Sequence, residues 1–560
     1  MQRTHPAMRH LSHRPAHRTP AGLIAPVLAT LITAAVLSAC GGMEEPPQGP
    51  PVGLELEKIG GYAHAGGASS AEITAFDPIS QRLFVVNGAL ASIDVLDFSH
   101  PEAPTLITSI PASTFGAGLA AVNSVAVHNG IVALAIEANP KTAPGVVAWL
   151  RASDLQPLGT DTVGALPDML TFTPDGRTLL VANEGEPDSY NQPASQDPEG
   201  SISVIRLGKL KPDATRIERT VLSADFRALN GEVQRLRAAG VRIYGPNASV
   251  AQDLEPEYIT VSDDGRTAWV TLQENNAIAV LDVRNARITD IKPLGFKNHN
   301  VAGMGMDPSD RDGAIKIGPV PVKGMYLPDA IASFQAKGRT WLITANEGDA
   351  RADWPGFNEE TRVAQHCAAG LDPTVFSDAA NLIKDASLGR LRITTSPNGG
   401  STGKNAQGLC TELYSFGGRS FSIWSSDVQR VADSGEDFER LTTSLPNVAF
   451  NASNDNNTLE SRSASKGPEP EGVTVARFGP RTFAFIGLER VGGVAVYDVS
   501  EPNKPRQVSY LNTRNGTGGD RGPEGLTYIA ADDSPTGEPL LVVGHESSGT
   551  TAVYRIRPTW

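Results

Sequence analysis

The sequence predicts an all-β fold, a seven-bladed β-propeller carrying a helical insertion and a disulfide-bonded loop insertion. Three observations predict it. Short apolar strands of similar grammar recur seven times along 560 residues. Asp-Gly turns join alternating apolar runs into hairpins. No helices alternate with the strands, as βαβ units would require. The 56 glycines and 41 prolines supply punctuation, and 40% apolar residues suit a core of short strands. Repetition on this scale marks a radial or stacked architecture, which can absorb such a length as one unit.

The N-terminus stands apart from the repeats. Arg3, Arg9, Arg14 and Arg18 precede an apolar run from Leu23 to Leu37 that ends in Leu37-Ser38-Ala39-Cys40. A basic start, a short apolar stretch and small residues before the cut describe a bacterial export signal over residues 1–39. The ending resembles a lipobox, which implies lipidation of Cys40; an uncleaved anchor helix is the alternative. Gly41 after the cysteine points to the outer membrane or cell surface of a Gram-negative bacterium. The leader holds four arginines and no acid, so its removal takes the net charge from −14 to −18. So acidic a surface argues for cations as partners and against nucleic acid. Residues 40–53, with Pro46, Pro47, Pro50 and Pro51, read as a tether, and 54–560 as the propeller.

The third and fourth repeats show the grammar best. Met169 to Thr173 is a strand, Pro174-Asp175-Gly176-Arg177 a tight turn, Thr178 to Ala182 the returning strand and Ser201 to Ile205 a third. Tyr258 to Val261, the turn Ser262-Asp263-Asp264-Gly265, Thr267 to Leu272 and Ala277 to Val283 repeat it. The unpaired strand Leu54 to Ile59 is placed to close the ring beside Thr551 to Ile556, hiding two sheet edges. Two insertions interrupt the pattern, at about 210–252 and 349–412. The first has helical spacing at Leu229, Val233 and Leu236 and ends at Gly240. The second contains Cys367 and Cys410, which read as a disulfide in an oxidising compartment, with two free buried thiols as the alternative.

Each repeat opens with a carboxylate: Glu72, Asp168, Glu257, Asp329, Glu471 and Glu524, with Asn123 as the neutral member. Most return strands end in another: Glu137, Glu184, Glu274, Glu347, Glu489 and Glu546. In a propeller the first strand of each blade faces the central channel, so these residues are expected to form two acidic tiers. Packed like charges must take up protons, recruit Lys or Arg, or bind a cation. Hard oxygen ligands without His or Cys suit Ca2+, with Mg2+ second. The alternatives are hydrogen bonding to backbone amides, or neutralisation by Arg351, Arg490 and Arg521. Nothing calls for a nucleotide or haem, since there is no Walker loop. Asp307-Pro-Ser-Asp310-Arg-Asp312-Gly313 lacks the terminal glutamate of an EF-hand and reads as a turn-rich surface loop.

Leu166-Pro-Asp-Met, Ala182-Asn-Glu-Gly-Glu-Pro-Asp188, Asp253-Leu-Glu-Pro-Glu-Tyr258 and Ala345-Asn-Glu-Gly-Asp-Ala-Arg351 carry a further signal, as do Lys466-Gly-Pro-Glu-Pro-Glu-Gly472, Ile486-Gly-Leu-Glu-Arg490 and Gly522-Pro-Glu-Gly-Leu526. Together these stretches resemble the bacterial choice-of-anchor I proteins, related to the mesenchyme-specific cell-surface glycoproteins. The resemblance implies a propeller-like, extracytoplasmic protein, and some of its members carry an alkaline-phosphatase label. The chain departs from the pattern at His545, where Asn often precedes Glu, and in the Asn/Gly-rich segment before Cys410. Two functions follow. The first is a lipid-anchored binding or scaffold propeller with an acidic, cation-competent channel, its ligand a surface protein or polysaccharide. The rival is a calcium-dependent phosphoesterase acting on a phosphorylated small molecule, with Arg351, Arg490 and Arg521 as candidate catalytic cations.

Overall fold

The repeated apolar runs become seven four-stranded antiparallel sheets. In this computed structural model the described residues are 49–397 and 401–560; the leader, Cys40 and tether residues 41–48 lie outside them. The first strands of the seven sheets are Thr74–Asp77, Leu119–His128, Pro167–Phe172, Ile259–Val261, Ile331–Ala336, Pro470–Phe478 and Pro523–Ile529. The third sheet shows the pattern: Leu170 opposes Val181, Leu180 opposes Val204, and Val204 opposes Leu222. Gly176 and Gly265 take positive φ in the two Asp-Gly turns, which glycine adopts without steric cost.

Alternation sends each strand's side chains to both faces, so the apolar cores lie between neighbouring sheets. Phe84 and Val86 of the first sheet meet Val132 and Leu134 of the second. Ala133 and Val147 of the second meet Leu179 and Val181 of the third. The same pairing runs from the third to the fourth, fourth to fifth, fifth to sixth and sixth to seventh. Leu540, Val542 and Val553 of the seventh then pack against Leu83, Val85 and Leu96 of the first. The first strands also touch in the same order, the last against the first.

The N-terminal strand does what its position predicts. Gly53–Ala63 pairs with Thr550–Thr559 as the outer strand of the seventh sheet, Leu56 opposite Ile556. His64, directly after it, places Nδ1 2.6 Å from Asp94 Oδ2 of the first sheet. Its Nε2 lies 2.9 Å from Thr551 Oγ1 of the seventh. The two ends of the chain's described part are thus tied through one buried imidazole.

The insertions follow the sequence reading with one correction. Arg227–Glu232 is a 3-10 turn leading into the α-helix Val233–Ala239, ended by Gly240 at φ 105°. Cys367 and Cys410 form the disulfide, with Cα atoms 5.6 Å apart. The segment about 349–412 is not a self-contained loop. It supplies Glu360–Arg362 and Arg392–Thr394 to a five-stranded sheet completed by Tyr414–Ser415, Phe296–Asn298 and Lys323–Met325. Strands of two or three residues carry no legible alternation, so the contribution of Phe296 to Met325 left no trace in the pattern. Arg242 of the first insertion pairs with Glu359 of the second, both fully buried, and joins the two.

Candidate functional site: an acidic channel mouth

The predicted ring carboxylates lie near enough to raise one another's pKa, although among the described residues only Glu347, Glu469 and Glu489 bring three carboxylate oxygens within 4.8 Å of one another, and the backbone that aims the ring is repeated. Leu166, Leu327, Glu469 and Gly522 take positive φ, each just before the proline that precedes Asp168, Asp329, Glu471 or Glu524. A left-handed residue costs a non-glycine side chain about 1 kcal/mol and persists only where the surroundings impose it. The strand register then slips between Pro167 and Leu170, Pro470 and Val473, and Pro523 and Leu526. Such bulges re-aim side chains; here the acid sits inside each slip. Glycine after the acid allows close stacking. A Cβ on Gly472 would stand 2.0 Å from the Glu524 carbonyl, and one on Gly525 2.7 Å from that of Glu72.

The charges around each ring member are almost all negative. Glu72 is pushed up to about 8 by burial, then by Glu546 and Asp168. Asp168 rises to about 7 through burial, Glu186 and Glu137. Glu257, Asp329, Glu471 and Glu524 are raised well above the carboxylate range, by burial first and then by each other and the second tier. Among the described residues none of these six carboxylates accepts a side-chain or backbone hydrogen bond or joins a salt bridge. One oxygen each of Glu257, Glu471 and Glu524 is sealed from solvent without a partner. Residues of the same first strands line a cavity of about 400 Å³ made of neutral groups, among them Ile73, Thr74, Met169, Tyr258 and Thr527.

The second tier divides in two. On one side, Lys466 Nζ stands 3.3 Å from Glu347, 3.0 Å from Asp349 and 3.5 Å from Glu469. Arg490 reaches Glu469 at 3.0 Å and Glu489 at 2.9 Å, and Arg462 reaches Glu469 at 2.5 Å. Oxygens of Glu347, Glu469 and Glu489 lie within 4.8 Å of one another, close enough to share an ion. That place is already taken by ammonium and guanidinium groups: Arg462, Lys466 and Arg490 overcome burial and hold Glu469 down at about 2. Glu274 and Glu489, raised to about 8 by burial, each have an arginine pulling the other way. On the other side Glu184 is raised by burial and by four acids, Glu186, Asp168, Glu255 and Glu274. Glu137 is held near Asp168 by the second sheet, and Glu546 accepts from Ser69 Oγ at 3.0 Å.

The candidate cationic residues are engaged elsewhere. Arg351 pairs with Asp253 and, at 2.8 Å, with Glu255, buried beneath the second tier. Arg490 serves Glu469 and Glu489 as above. Arg521 donates to the carbonyls of Asn454 and Ser547 at 2.7 and 3.2 Å and neutralises no ring carboxylate. Two acids that sequence reasoning missed, Glu255 and Glu469, absorb most of this positive charge. The signal was present: both are the first member of a Glu-Pro-Glu triplet, 255–257 and 469–471. In each triplet the first glutamate takes the cation and the second enters the ring unpaired.

The family model described as the choice-of-anchor I domain matches residues 72–502. Gigasin-3a of Magallana gigas is 34% identical over 192 residues, 31% of this chain and 66% of that protein. The mesenchyme-specific cell surface glycoprotein of Strongylocentrotus purpuratus is 29% identical over 326 residues, 50% of this chain and 41% of that protein. The chain spans less than two thirds of the length of either relative. Among solved structures, a chain of Kuenenia stuttgartiensis hydrazine synthase aligns over 87% of this chain and 96% of its own, at 12% identity and a TM-score of 0.43, too distant to bear on function. The family match starts at the first ring carboxylate and reaches into the sixth sheet, ending just before its last strand Arg506–Leu511, and on that extent the chain belongs to the choice-of-anchor I domain family.

Proposed function

We propose that this protein is a surface-associated, seven-bladed β-propeller whose acidic channel mouth binds a divalent cation, Ca2+ before Mg2+, and that it serves as a binding or scaffold protein. The observation that carries the reading is the ring itself: six converging carboxylates without a cationic partner, beside a second tier where lysine and arginine have been supplied. Six to eight oxygens at flexible distances suit Ca2+ better than the strict octahedron of Mg2+. The cyclic order of sheet packing supports the blade count. Lipidation of Cys40 would attach the propeller to the membrane, in line with the cell-surface naming of one relative.

The engagement of Arg351, Arg490 and Arg521 by carboxylates and carbonyls favours binding over a phosphoester hydrolysis in which these arginines would hold the ester. The test is the full chain in detergent, assayed on phosphomonoesters and diesters with and without Ca2+. The expected result is no turnover together with calcium-dependent thermal stabilisation. Turnover lost in the Glu471→Gln/Glu524→Gln double variant would overturn the binding reading in favour of a phosphoesterase.

A further inference from the structure

The N-terminal segment enters the sheets at the end opposite the ring acids. Pro50 lines a groove of about 460 Å³ together with Lys337, Pro480, Arg481, Lys504 and Arg506. Lys337 lies in the turn between Ile331–Ala336 and Arg339–Ala345, strands whose other ends border Asp329 and Glu347. Pro480 lies in the turn between Pro470–Phe478 and Arg481–Leu488, strands whose other ends carry Glu471 and border Glu489. Pro470–Phe478 has nine residues, and at roughly 3.3 Å per residue it separates that turn from the ring by about 25–30 Å. The pairing of the first described strand agrees: Gly53 opposes Thr559, at the far end from Ala63 and Thr550.

Cations gather at this end although the chain carries a net charge of −14. The four in the groove meet two carboxylates, Asp498 and Glu501. Arg481 lies 2.5 Å from Asp498, and Lys337 pairs with Glu501 at 2.7 Å with both side chains exposed. The exposed Arg506 donates to the carbonyl of Val52 at 2.5 Å. Lys504 joins no salt bridge among the described residues. Apolar side chains stand beside these cations. Val52 is 49% and Trp560 58% exposed, and the Trp560 indole N–H donates to the carbonyl of Gly49 at 3.2 Å. A tryptophan and an aliphatic side chain open to solvent among basic groups suit a lipid interface, which takes the apolar bodies and pairs the charges. The ring end has the opposite character, since its unneutralised acids would be repelled by anionic headgroups.

The length of chain before Gly49 selects the occupant. The nine steps from Cys40 to Gly49 span at most about 30 Å when fully extended. A membrane holding Cys40 meets the tether end within that reach. Contact with the ring end would consume the whole of it along the sheets, and the insertion at 349–412 starts from that end, directly after Asn346. We propose, on the strength of the lipidation put forward above, that the tether end is a lipid-docking face. Val52 and Trp560 enter the headgroup layer, Lys337, Lys504 and Arg506 meet anionic headgroups, and the acidic ring opens away from the membrane.

The test is energy transfer from a thiol-linked dye on the full chain to acceptor lipids, in vesicles of phosphatidylglycerol and phosphatidylcholine. Arg266→Cys carries the dye at the tether end, in the Asp-Gly turn of the fourth sheet, where the native side chain is exposed. Leu90→Cys carries it at the ring end, in the turn of Gly88, whose Cβ would stand 2.6 Å from Glu72 Oε1. Cys367 and Cys410 are bonded to each other and leave the new thiol to react. Transfer from Arg266→Cys should exceed that from Leu90→Cys at least twofold. Lys504→Glu/Arg506→Glu, or phosphatidylcholine alone, should narrow the gap. Brominated lipid should quench the wild type more than Trp560→Phe, a reading that needs no dye. Equal transfer from the two positions, or more from Leu90→Cys, in protein that floats with the vesicles would overturn the docking face and leave the anchor standing. Protein that does not float would remove the anchor, and the docking face with it.

Discussion

Raising the pH of the calcium-free protein should weaken it, and calcium should offset part of that loss. Glu72, Glu274 and Glu489 are held up to about 8 and Asp168 to about 7. In the unfolded chain such groups lose their protons near pH 4. Between those limits the folded protein keeps protons that the unfolded chain has released. Stability from these groups is therefore complete at about pH 4 and is lost as the pH climbs towards 8. Each retained proton corresponds to about 1.4 kcal/mol per pH unit. Counting only roughly two for so crowded a ring gives about 3 kcal/mol per unit.

An unfolding entropy of about 2.1 cal/mol/K per residue amounts to about 1 kcal/mol/K for some 500 residues. The melting temperature in EDTA should then fall by about 3 °C per pH unit between pH 5 and 7. Calcium at about 100 times its dissociation constant adds about 2.7 kcal/mol, restoring about 3 °C at pH 8. The assay is scanning calorimetry across that range with EDTA or Ca2+, on the wild type and on Glu471→Gln/Glu524→Gln. The double variant should melt higher than the wild type in EDTA at pH 8. A flat profile in EDTA, or a double variant with no gain there, would refute the idea that the ring is an unneutralised cluster.

Glu469→Gln should act in the opposite sense to a ring substitution two residues away. It leaves Arg462 without its carboxylate partner, takes one of several from Lys466 and Arg490, and should cost about 3–5 kcal/mol in thermal unfolding. His64→Ala removes the bonds to Asp94 and Thr551 across the junction of first and seventh sheets. A loss of about 2–3 kcal/mol is expected, with faster amide exchange confined to Gly53–Ala63 and its partner strand. Reducing the Cys367–Cys410 bond opens a loop spanning 43 residues, worth about 4 kcal/mol on the chain-entropy estimate, read as a lower melting temperature in dithiothreitol. Arg351→Met leaves Asp253 and Glu255 buried without their cation and should destabilise by about 3–5 kcal/mol, with no effect on phosphoester turnover because none is expected.

The blades were legible because their signals are local. Alternation, Asp-Gly turns and the acid at each strand start all fall within a few residues, and the closing partner of Leu54 to Ile59 followed from counting one strand short. The five-stranded sheet of the insertions was not legible. Its strands are two or three residues long, one pair runs parallel, and its members come from stretches separated by a whole hairpin. The loop at Asp307 was misjudged as surface for a related reason. What buries it, Arg419 and Glu460, comes from segments more than 100 residues away that no spacing rule connects to it.

The carboxylates show where such reading stops. A sequence can place like charges in equivalent positions of a repeat, but their fate depends on which cations arrive from elsewhere. Glu255 and Glu257 share a proline and almost the same environment by sequence, as do Glu469 and Glu471. Yet Arg351 reaches the first triplet through the insertion, and Arg462, Lys466 and Arg490 reach the second from two different connections. In each case the cations stop at the outer glutamate. The left-handed residue that precedes Pro470 is Glu469 itself, so the turn that aims Glu471 at the other ring acids also fixes Glu469 against its three partners. In this second triplet, neutralising the outer acid and sparing the inner one are consequences of the same backbone step, which is why Glu471 can stay short of positive charge two residues from an acid that holds three cations.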